Sequence, residues 1–284
     1  MTTSRVRLFS ITLVSAWIIV FGGAPLLLVL ITSFLGQHPQ EFYELSFSLK
    51  SYVQLIDPIY LDVMLRSVRL AALTTFFSLL AGYPFAWLTF RLPRRYRLMA
   101  LILLMIPFWT NSLIRTYAVR MILGTQGLTN KLLLAAGIID SPVRFMYTDS
   151  AVILGLIYLM LPFMILPLYV NMEKFDYRLV EASRDLGAGP LQTFRSVVIP
   201  LTLPGVIAGC IMVFVPTMGL FYVATLLGGG RKLLVGNLIQ HHFLVSHNWP
   251  LGSAMSVVLI FMMISMLGLY WLVMRRFSAR RSAL

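Results

Sequence analysis

The side chains in this sequence that are best suited to hold a ligand are aromatic rings within long apolar stretches. Phe108, Trp109 and Tyr117 belong to one stretch, and Phe221 and Tyr222 belong to another. A cation placed over such a ring gains about 0.5–2 kcal/mol, so these rings could hold an ammonium group. Trp and Tyr also anchor helices at membrane interfaces, and that interpretation stays open for each of them.

The polar residues after Pro107 strengthen the first of these candidates. Thr110, Asn111 and Ser112 lie in the middle of an apolar stretch. Hydroxyl and amide groups at such positions need a cavity or a partner helix. The segment that follows Pro107 is therefore a candidate part of a ligand pathway.

Groups for catalysis or metal binding are missing from the apolar stretches. None of the ten acidic residues falls in one of them, so no carboxylate dyad can form there. The sequence has one cysteine, Cys210, and the adjacent His241 and His242 would not face each other on a helix. It lacks the Gly-x-x-x-x-Gly-Lys-Ser/Thr loop that binds ATP phosphates. We therefore expect no enzyme activity from this chain alone, and no metal or cofactor in it.

Composition places these residues on membrane-spanning helices. The chain is 59% hydrophobic and only 12% charged, whereas soluble chains have about 25% charged residues. A spanning helix needs about 20 mostly apolar residues. The prediction is an all-α membrane protein with a single polytopic domain over residues 1–284, whose first span is an uncleaved anchor. Six spans fit, at approximately 8–34, 67–90, 98–122, 150–171, 203–227 and 252–274.

The basic residues indicate the orientation of the spans. The net charge is +13, and fourteen of the 23 basic residues lie on one side of the predicted spans. Cytoplasmic loops carry the excess of Lys and Arg. Both termini and the loop 172–200 are therefore predicted to be cytoplasmic. The fourteen residues are Arg5, Arg7, Arg91, Arg94, Arg95, Arg97, Lys174, Arg178, Arg184, Arg195, Arg275, Arg276, Arg280 and Arg281.

The loop 172–200 is expected to form two short helices around a glycine. Asp176 can cap a helix over 177–186, and Gly187 can end it in the left-handed conformation that glycine adopts without strain. Pro190 fits the first position of a second helix, which is expected to stop at Pro200. A helix this short is unstable alone in water, so it must dock on lipid or on a cytosolic partner. Its apolar face is expected to comprise Leu179, Val180, Ala182 and Leu186.

The spacing within this loop resembles the EAA motif of ATP-binding-cassette (ABC) importer permeases. The segment 181–200 begins with Glu-Ala-Ser, has glycine at 187 and ends with Val-x-Ile-Pro; serine replaces the motif's second alanine. The resemblance implies that 172–200 is a coupling loop, whose helix sits in a groove of an ATPase subunit. The implied coupling residues are Glu181, Ala182, Ser183, Gly187 and Pro200.

Other motifs extend the resemblance over nearly the whole chain. They are GYPFAW at 82–87, IPFWTNSLIR at 106–115, FYV at 221–223, GNLI at 236–239 and WPLG at 249–252. Together they are similar to the B-type permease subunits of spermidine/putrescine importers, within the MetI-like family of binding-protein-dependent permeases. The family implies a type I ABC importer permease fold with six transmembrane helices in the bacterial inner membrane.

The resemblance also implies a set of partners. A second, C-type permease would form the other half of the pathway, and two cytosolic ABC ATPase subunits would hold ATP and Mg²⁺. A periplasmic binding protein would deliver the polyamine, and no nucleic acid is expected. Four acidic residues outside the spans could contact that protein or could simply be solvated: Glu41, Glu44, Asp57 and Asp62.

Two positions depart from what the resemblance leads us to expect. Thr225 and Gln240 are neutral where an acid and a base are expected on the pathway. The partner permease could supply the missing carboxylates. Another cargo also stays open, such as an opine-like amine or an anion carried by the same kind of importer. The pathway candidates are Phe108, Trp109, Asn111, Tyr117, Phe221, Tyr222, Thr225 and Gln240.

Overall fold

The computed structural model describes residues 2–38, 42–174, 176–230 and 233–281, so Glu41 lies outside the described residues. A short antiparallel ladder joins β1 (Leu35–Gly36) to β2 (Glu44–Phe47), and the other regular elements are helical. They are α1 (Thr2–Ile18), α2 (Ala24–Thr32), α3 (Lys50–Gln54), α4 (Pro58–Arg91), α5 (Arg94–Met105), α6 (Ser112–Leu123), α7 (Leu128–Ala135), α8 (Asp149–Glu173), α9 (Arg178–Asp185), α10 (Pro190–Thr193), α11 (Ile199–Gly219), α12 (Phe221–Gly228), α13 (Val235–Leu244) and α14 (Trp249–Arg281).

Long apolar helices confirm the predicted class of all-α membrane protein. Among the described residues, five stretches are long and apolar enough to cross a membrane, or six if one bent pair counts as a span. The second of them, α4, begins earlier than predicted, so that Asp62 lies on this helix. The five are Ser10–Thr32, Pro58–Arg91, Asp149–Glu173, Pro190–Gly219 and Trp249–Leu272.

The third predicted span, 98–122, falls on a bent pair of helices and not on one straight helix. Two helical stretches, Arg94–Trp109 and Ser112–Ala135, meet there at an angle of 93°. Pro107 lies in a 3₁₀ turn, and the next polar residue, Thr110, is extended with φ −83° and ψ 149°. Asn111 Oδ1 then accepts the backbone N–H of Leu113 at 2.8 Å and caps α6. The polar residues thus end one helix and begin another.

Prolines at other positions are accommodated within continuous helices. The predicted stop at Pro200 is wrong, because the helical stretch that starts at Pro190 continues to Gly219. A π-helical segment, Phe194–Val198, ends two residues before Pro200, and a second, Ile19–Gly23, ends two residues before Pro25. The wider π turn makes room for the proline ring, which would otherwise clash with the carbonyl four residues earlier. The predicted fifth span, 203–227, instead breaks at Leu220, between α11 and α12.

Contacts between residues divide the chain into two units, which are described separately. The first comprises Met1–Asp62 and Leu238–Met263, and the second comprises Val63–Asn237 and Ile264–Leu284. In the first unit, the rings of Phe42 and Phe243 pack around Trp249 at centroid distances of 4.7 and 6.3 Å. In the second unit, α8 forms the centre of the core. Its fully buried side chains include Leu156, Met164, Ile165 and Leu168.

Two glycines on α11 let this helix pack closely against α8. A Cβ at Gly205 would lie 3.0 Å from the carbonyl oxygen of Pro167 and 2.6 Å from Cβ of Asn171. A Cβ at Gly209 would lie 3.1 Å from the carbonyl oxygen of Met164. Two small residues four positions apart thus allow α11 to approach the backbone of α8 closely.

Candidate functional site

The predicted coupling loop folds into a helix, a glycine turn and a second helix. Asp176 Oδ1 accepts a hydrogen bond at 3.0 Å from the first backbone N–H of α9. Gly187 has a φ of +84°, and the N–H groups of Gly187 and Ala188 donate to carbonyls of α9 at 2.8 and 3.1 Å. Pro190 begins α10. The local structure predicted from Asp176, Gly187 and Pro190 is confirmed.

The inner side of this turn is held by one side-chain hydrogen bond and one buried valine. The hydroxyl oxygens of Ser183 and Thr193 are 3.1 Å apart, and Thr193 is buried. Val180 on α9 is 2% exposed. The third residue of the EAA-like motif, Ser183, therefore fixes α9 against α10.

The outer side of the turn is apolar and open. Leu179, Ala182 and Leu186 of the predicted apolar face lie on this outer side, with Leu186 89% and Leu179 48% exposed, whereas Val180 is buried on the inner side. The two leucines line an open cleft of about 420 Å³ together with Gln192 and Val197. The coupling residues Glu181, Ala182 and Pro200 are also exposed. Exposed leucines beside a carboxylate form a surface suited to a protein partner.

The residues after Pro107 place their aromatic rings in two different environments. The guanidinium carbon of Arg115 lies 4.1 Å from the ring centroid of Phe108, and the ring of Phe163 packs edge-on at 6.1 Å. One face of Phe108 is thus already occupied by a cation. Trp109 is 87% exposed, and Tyr117 on α6 is 49% exposed. Asn111 uses its side-chain oxygen to cap α6, which gives it a structural role at the bend.

Arg115 was not among the sequence-predicted site residues. It is only 9% exposed, and its Nε and Nη1 are buried without a hydrogen-bond partner in the described part of the chain. Burying an ionised group without a partner is costly, and charges within membrane segments often mark pathways. The signal in the sequence for Arg115 is an ionisable residue within the predicted span 98–122.

Asn237 holds the helix α12, which carries the aromatic pair Phe221 and Tyr222, by hydrogen bonds. The Nδ2 group donates to the carbonyl of Phe221 at 3.0 Å and to Oγ1 of Thr225 at 2.8 Å, and Oδ1 accepts from the N–H of Leu234 at 3.0 Å. The rings of Phe221 and Tyr222 are perpendicular, with centroids 6.0 Å apart. The neutral Thr225 thus donates to the carbonyl of Phe221 on its own helix at 3.0 Å and accepts from Asn237 on α13.

Contacts bring some of the pathway candidates together. The helix that carries Tyr117, α6, packs against α12, which carries Phe221, Tyr222 and Thr225. Two apolar stretches distant in sequence thus meet within the second unit. Gln240 is half-buried on α13, in the part that belongs to the first unit.

The histidine pair next to Gln240 has no arrangement suited to metal binding. His242 is buried, with Nδ1 3.1 Å from Oγ of Ser246. Burial, followed by the charge of His241, lowers the pKa of His242, so its ring is neutral at pH 7. No cluster of three His, Cys, Asp or Glu residues that could hold a metal is found within the described ranges.

Comparisons with known proteins agree with this architecture. The chain is 48% identical over 261 residues to the spermidine/putrescine transport system permease protein PotB of Escherichia coli (strain K12), covering 92% of this chain and 95% of that protein. PotB of Salmonella typhimurium (strain SL1344) is 47% identical over 269 residues, covering 95% of this chain and 94% of that protein.

A solved structure has a similar fold, and a family model matches most of the sequence. A bacterial alginate ABC transporter, in complex with an alginate pentasaccharide-bound periplasmic protein, contains a chain that matches with a TM-score of 0.77 at 14% identity, over 96% of each chain. The model of the binding-protein-dependent transport system inner membrane component matches residues 58–282. These matches and the helical membrane fold show that this chain belongs to the family of binding-protein-dependent transport system inner membrane components.

Proposed function

We propose that this chain is the permease subunit of an ATP-driven importer and forms half of the translocation pathway for spermidine or putrescine. The observation that carries the proposal is the 47–48% identity to PotB permeases over 92–95% of the chain. A periplasmic binding protein would deliver the polyamine, and a second, C-type permease would complete the pathway. The chain would be a multi-pass protein of the bacterial inner membrane, with both termini in the cytoplasm.

The energy for transport would reach this chain through the coupling loop. Two cytosolic ATPase subunits would hold ATP and Mg²⁺, since this chain has no phosphate-binding loop of its own. Leu179 and Leu186 are exposed around the Gly187 turn and would seat in a groove of one ATPase subunit. Because Gly187 joins α9 to the helical stretch Pro190–Gly219, a movement of α9 would be transmitted into a membrane span.

The cargo would be recognised by rings, with carboxylates supplied by the partner permease. Trp109 is the pathway candidate with the most exposed ring, at 87%. Its π face could hold an ammonium group of the polyamine. Among the described residues, the acids lie at or beyond the ends of the apolar helices; Asp149, for example, is the first residue of α8 and pairs with Arg66 at 2.7 Å.

A second candidate cargo is favoured by Arg115. Its buried Nε and Nη1, without partners in the described residues, would attract a carboxylate or another anion. The same machine could then carry an anion or an amine that also bears a carboxylate. Uptake measurements distinguish these candidates directly.

The cargo test is uptake by cells that lack other polyamine transporters and express this chain with its partner subunits. We expect accumulation of radiolabelled spermidine or putrescine that stops when the gene for this chain is deleted. The competing solutes are an opine and inorganic phosphate at a hundredfold excess. Uptake blocked by either competitor, or no polyamine uptake at all, would assign the importer to another cargo.

Trp109→Ala is expected to lower polyamine uptake at limiting substrate by about 2- to 30-fold, because a cation–π contact of about 0.5–2 kcal/mol is lost. The amount of assembled transporter should stay close to wild type, since the ring is exposed. Trp17→Ala, which removes a 64% exposed ring from the first span, serves as the matched control. Equal uptake kinetics in the two variants would make Trp109 an interface anchor instead.

A further inference from the structure

A basic cleft lies where two spans end, apart from the pathway and from the outer face of the coupling turn. It has a volume of about 510 Å³ and is lined by Phe90, Arg91, Arg97, Tyr177 and Arg184. Arg91 is the last residue of α4, Arg97 lies in the first turn of α5, and Arg184 belongs to α9. Three guanidinium groups from three helices thus converge on one cavity without an acidic residue among its lining.

Arg97 is fixed in this cleft by the backbone. Its Nη2 donates to the carbonyl of Phe90 at 2.6 Å and to that of Leu92 at 3.3 Å, and its guanidinium carbon lies 5.3 Å from the ring centroid of Phe90. Tyr169 on α8 contacts Arg97 and donates a hydrogen bond to Glu173 at 3.4 Å, but neither Tyr169 nor Glu173 lines the cleft. The positive charge in the cleft is therefore not neutralised by its own lining.

An apolar groove adjoins the basic cleft through a row of aromatic contacts. The groove, of about 350 Å³, lies between α4 and α11 and is lined by apolar side chains that include Phe76, Leu80, Phe194 and Val206. The ring of Phe194 lies 6.4 Å from that of Trp87, and the guanidinium carbon of Arg91 lies 5.0 Å from the centroid of Trp87. Trp87 thus connects the groove to the arginines.

We propose that the cleft and groove together bind one anionic phospholipid, with the phosphate headgroup among Arg91, Arg97 and Arg184 and an acyl chain along the groove. Guanidinium groups pair with phosphate oxygens in a bidentate geometry, and basic pockets between membrane helices bind anionic headgroups. The last residue of α4 and the first turn of α5 lie at the ends of two apolar stretches, where lipid headgroups would be expected. A free phosphate would leave the apolar groove unused, so the lipid fits both halves of the site.

The bound lipid has a structural consequence for the coupling loop. Arg184 is carried by α9, whereas Arg91 and Arg97 are carried by the ends of the spans. A headgroup that contacts all three would bridge α9 to the membrane helices. This bridge is independent of the cargo, so it is tested without transport.

The test is native mass spectrometry of the purified full-length chain titrated with phosphatidylglycerol, with phosphatidylcholine as the uncharged comparison. Arg91→Gln with Arg184→Gln should weaken phosphatidylglycerol binding about 25-fold, at about fivefold for each arginine. The matched control is Arg94→Gln with Arg95→Gln, which removes the same charge from the same region outside the cleft lining. It should stay within about twofold of wild type. Arg97 is left unchanged because it holds backbone carbonyls.

Four results would overturn the proposal. Equal losses of phosphatidylglycerol binding in the two double variants would show that the affinity comes from diffuse positive charge and not from the cleft. Binding of phosphatidylcholine as tight as that of phosphatidylglycerol would show that the anionic headgroup is not recognised. Competition by glycerophosphoglycerol or inorganic phosphate at the same concentrations as the lipid would assign the cleft to a free anion. Displacement of the lipid when the ATPase subunits bind would assign the cleft to that interface.

Discussion

Gly187→Val is expected to lower substrate uptake at least about tenfold and to uncouple ATP hydrolysis from transport, while the protein still reaches the membrane. Gly187 has a φ of +84°, and an added Cβ would meet no atom within 4 Å, so the penalty comes from the backbone and not from crowding. An L-residue in this region costs roughly 1–2 kcal/mol, and a β-branched one more. The turn that sets α9 beside α10 would therefore open.

Two further variants test whether the effect of Gly187→Val comes from backbone strain at residue 187 or from the loss of any glycine in the loop. Gly189→Ala should behave like wild type, because Gly189 has a φ of −65° and open space around it. Gly187→Asn should retain part of the activity, since asparagine tolerates the left-handed conformation. Uptake by reconstituted transporter and its ATPase rate are the measurements. Normal uptake by Gly187→Val would refute a role for this turn in coupling.

Gly205→Leu is expected to destabilise the second unit by several kcal/mol and to leave little folded protein. Its Cβ would lie 2.6 Å from Cβ of Asn171 and 3.0 Å from a backbone oxygen of α8, so α8 and α11 must separate. Overpacking costs about 1–3 kcal/mol even where side chains can move, and a backbone carbonyl cannot give way as a side chain does. Thermal unfolding in detergent, followed by size-exclusion chromatography, measures the loss.

The control for this substitution is another helical glycine. Gly268→Leu on α14 adds the same side chain where no atom lies within 4 Å of the new Cβ. It should change the midpoint of unfolding by no more than a few degrees. If Gly205→Leu unfolded at the same temperature as Gly268→Leu, the close approach of α8 and α11 would not contribute to stability.

Several local structures could be predicted from single residues whose physics leaves few choices. Gly187 and Pro190 could be placed at a helix end and a helix start because each has restricted or unusual backbone preferences. The effect of a proline inside an apolar stretch could not be predicted in the same way. Pro107 precedes a bend of 93°, whereas the helix continues through Pro200 after a π segment. Tertiary packing decides between these outcomes, and it is not encoded in the local pattern.

The candidate site was only partly predictable for a similar reason. Leu186 could be assigned to an apolar face from its spacing, but its 89% exposure is visible only in the structure, because the spacing does not show which apolar side chains pack within the chain. Arg115 could have been found from its position in an apolar stretch, whereas its place over Phe108 depends on the bend after Pro107. The role of the neutral Thr225 depends on Asn237, which donates a hydrogen bond to it at 2.8 Å, and their spacing in the sequence does not indicate this contact.

The most direct test of the coupling proposal is a cross-link from Leu186 to the ATPase subunit. The chain has one cysteine, Cys210, so Cys210→Ala removes the only thiol of this chain. In that background, Leu186→Cys is compared with Leu45→Cys, and the two side chains are 89% and 86% exposed. A short thiol-to-amine cross-linker is added to the assembled transporter, and the ATPase subunit is identified in the product.

A cross-link to the ATPase from residue 186 and none from residue 45 is the predicted result. It would place the turn after α9 in contact with the ATPase and on the cytoplasmic side of the membrane. No cross-link from residue 186, or equal cross-linking from both positions, would contradict the proposal that the turn around Gly187 couples this permease to ATP hydrolysis.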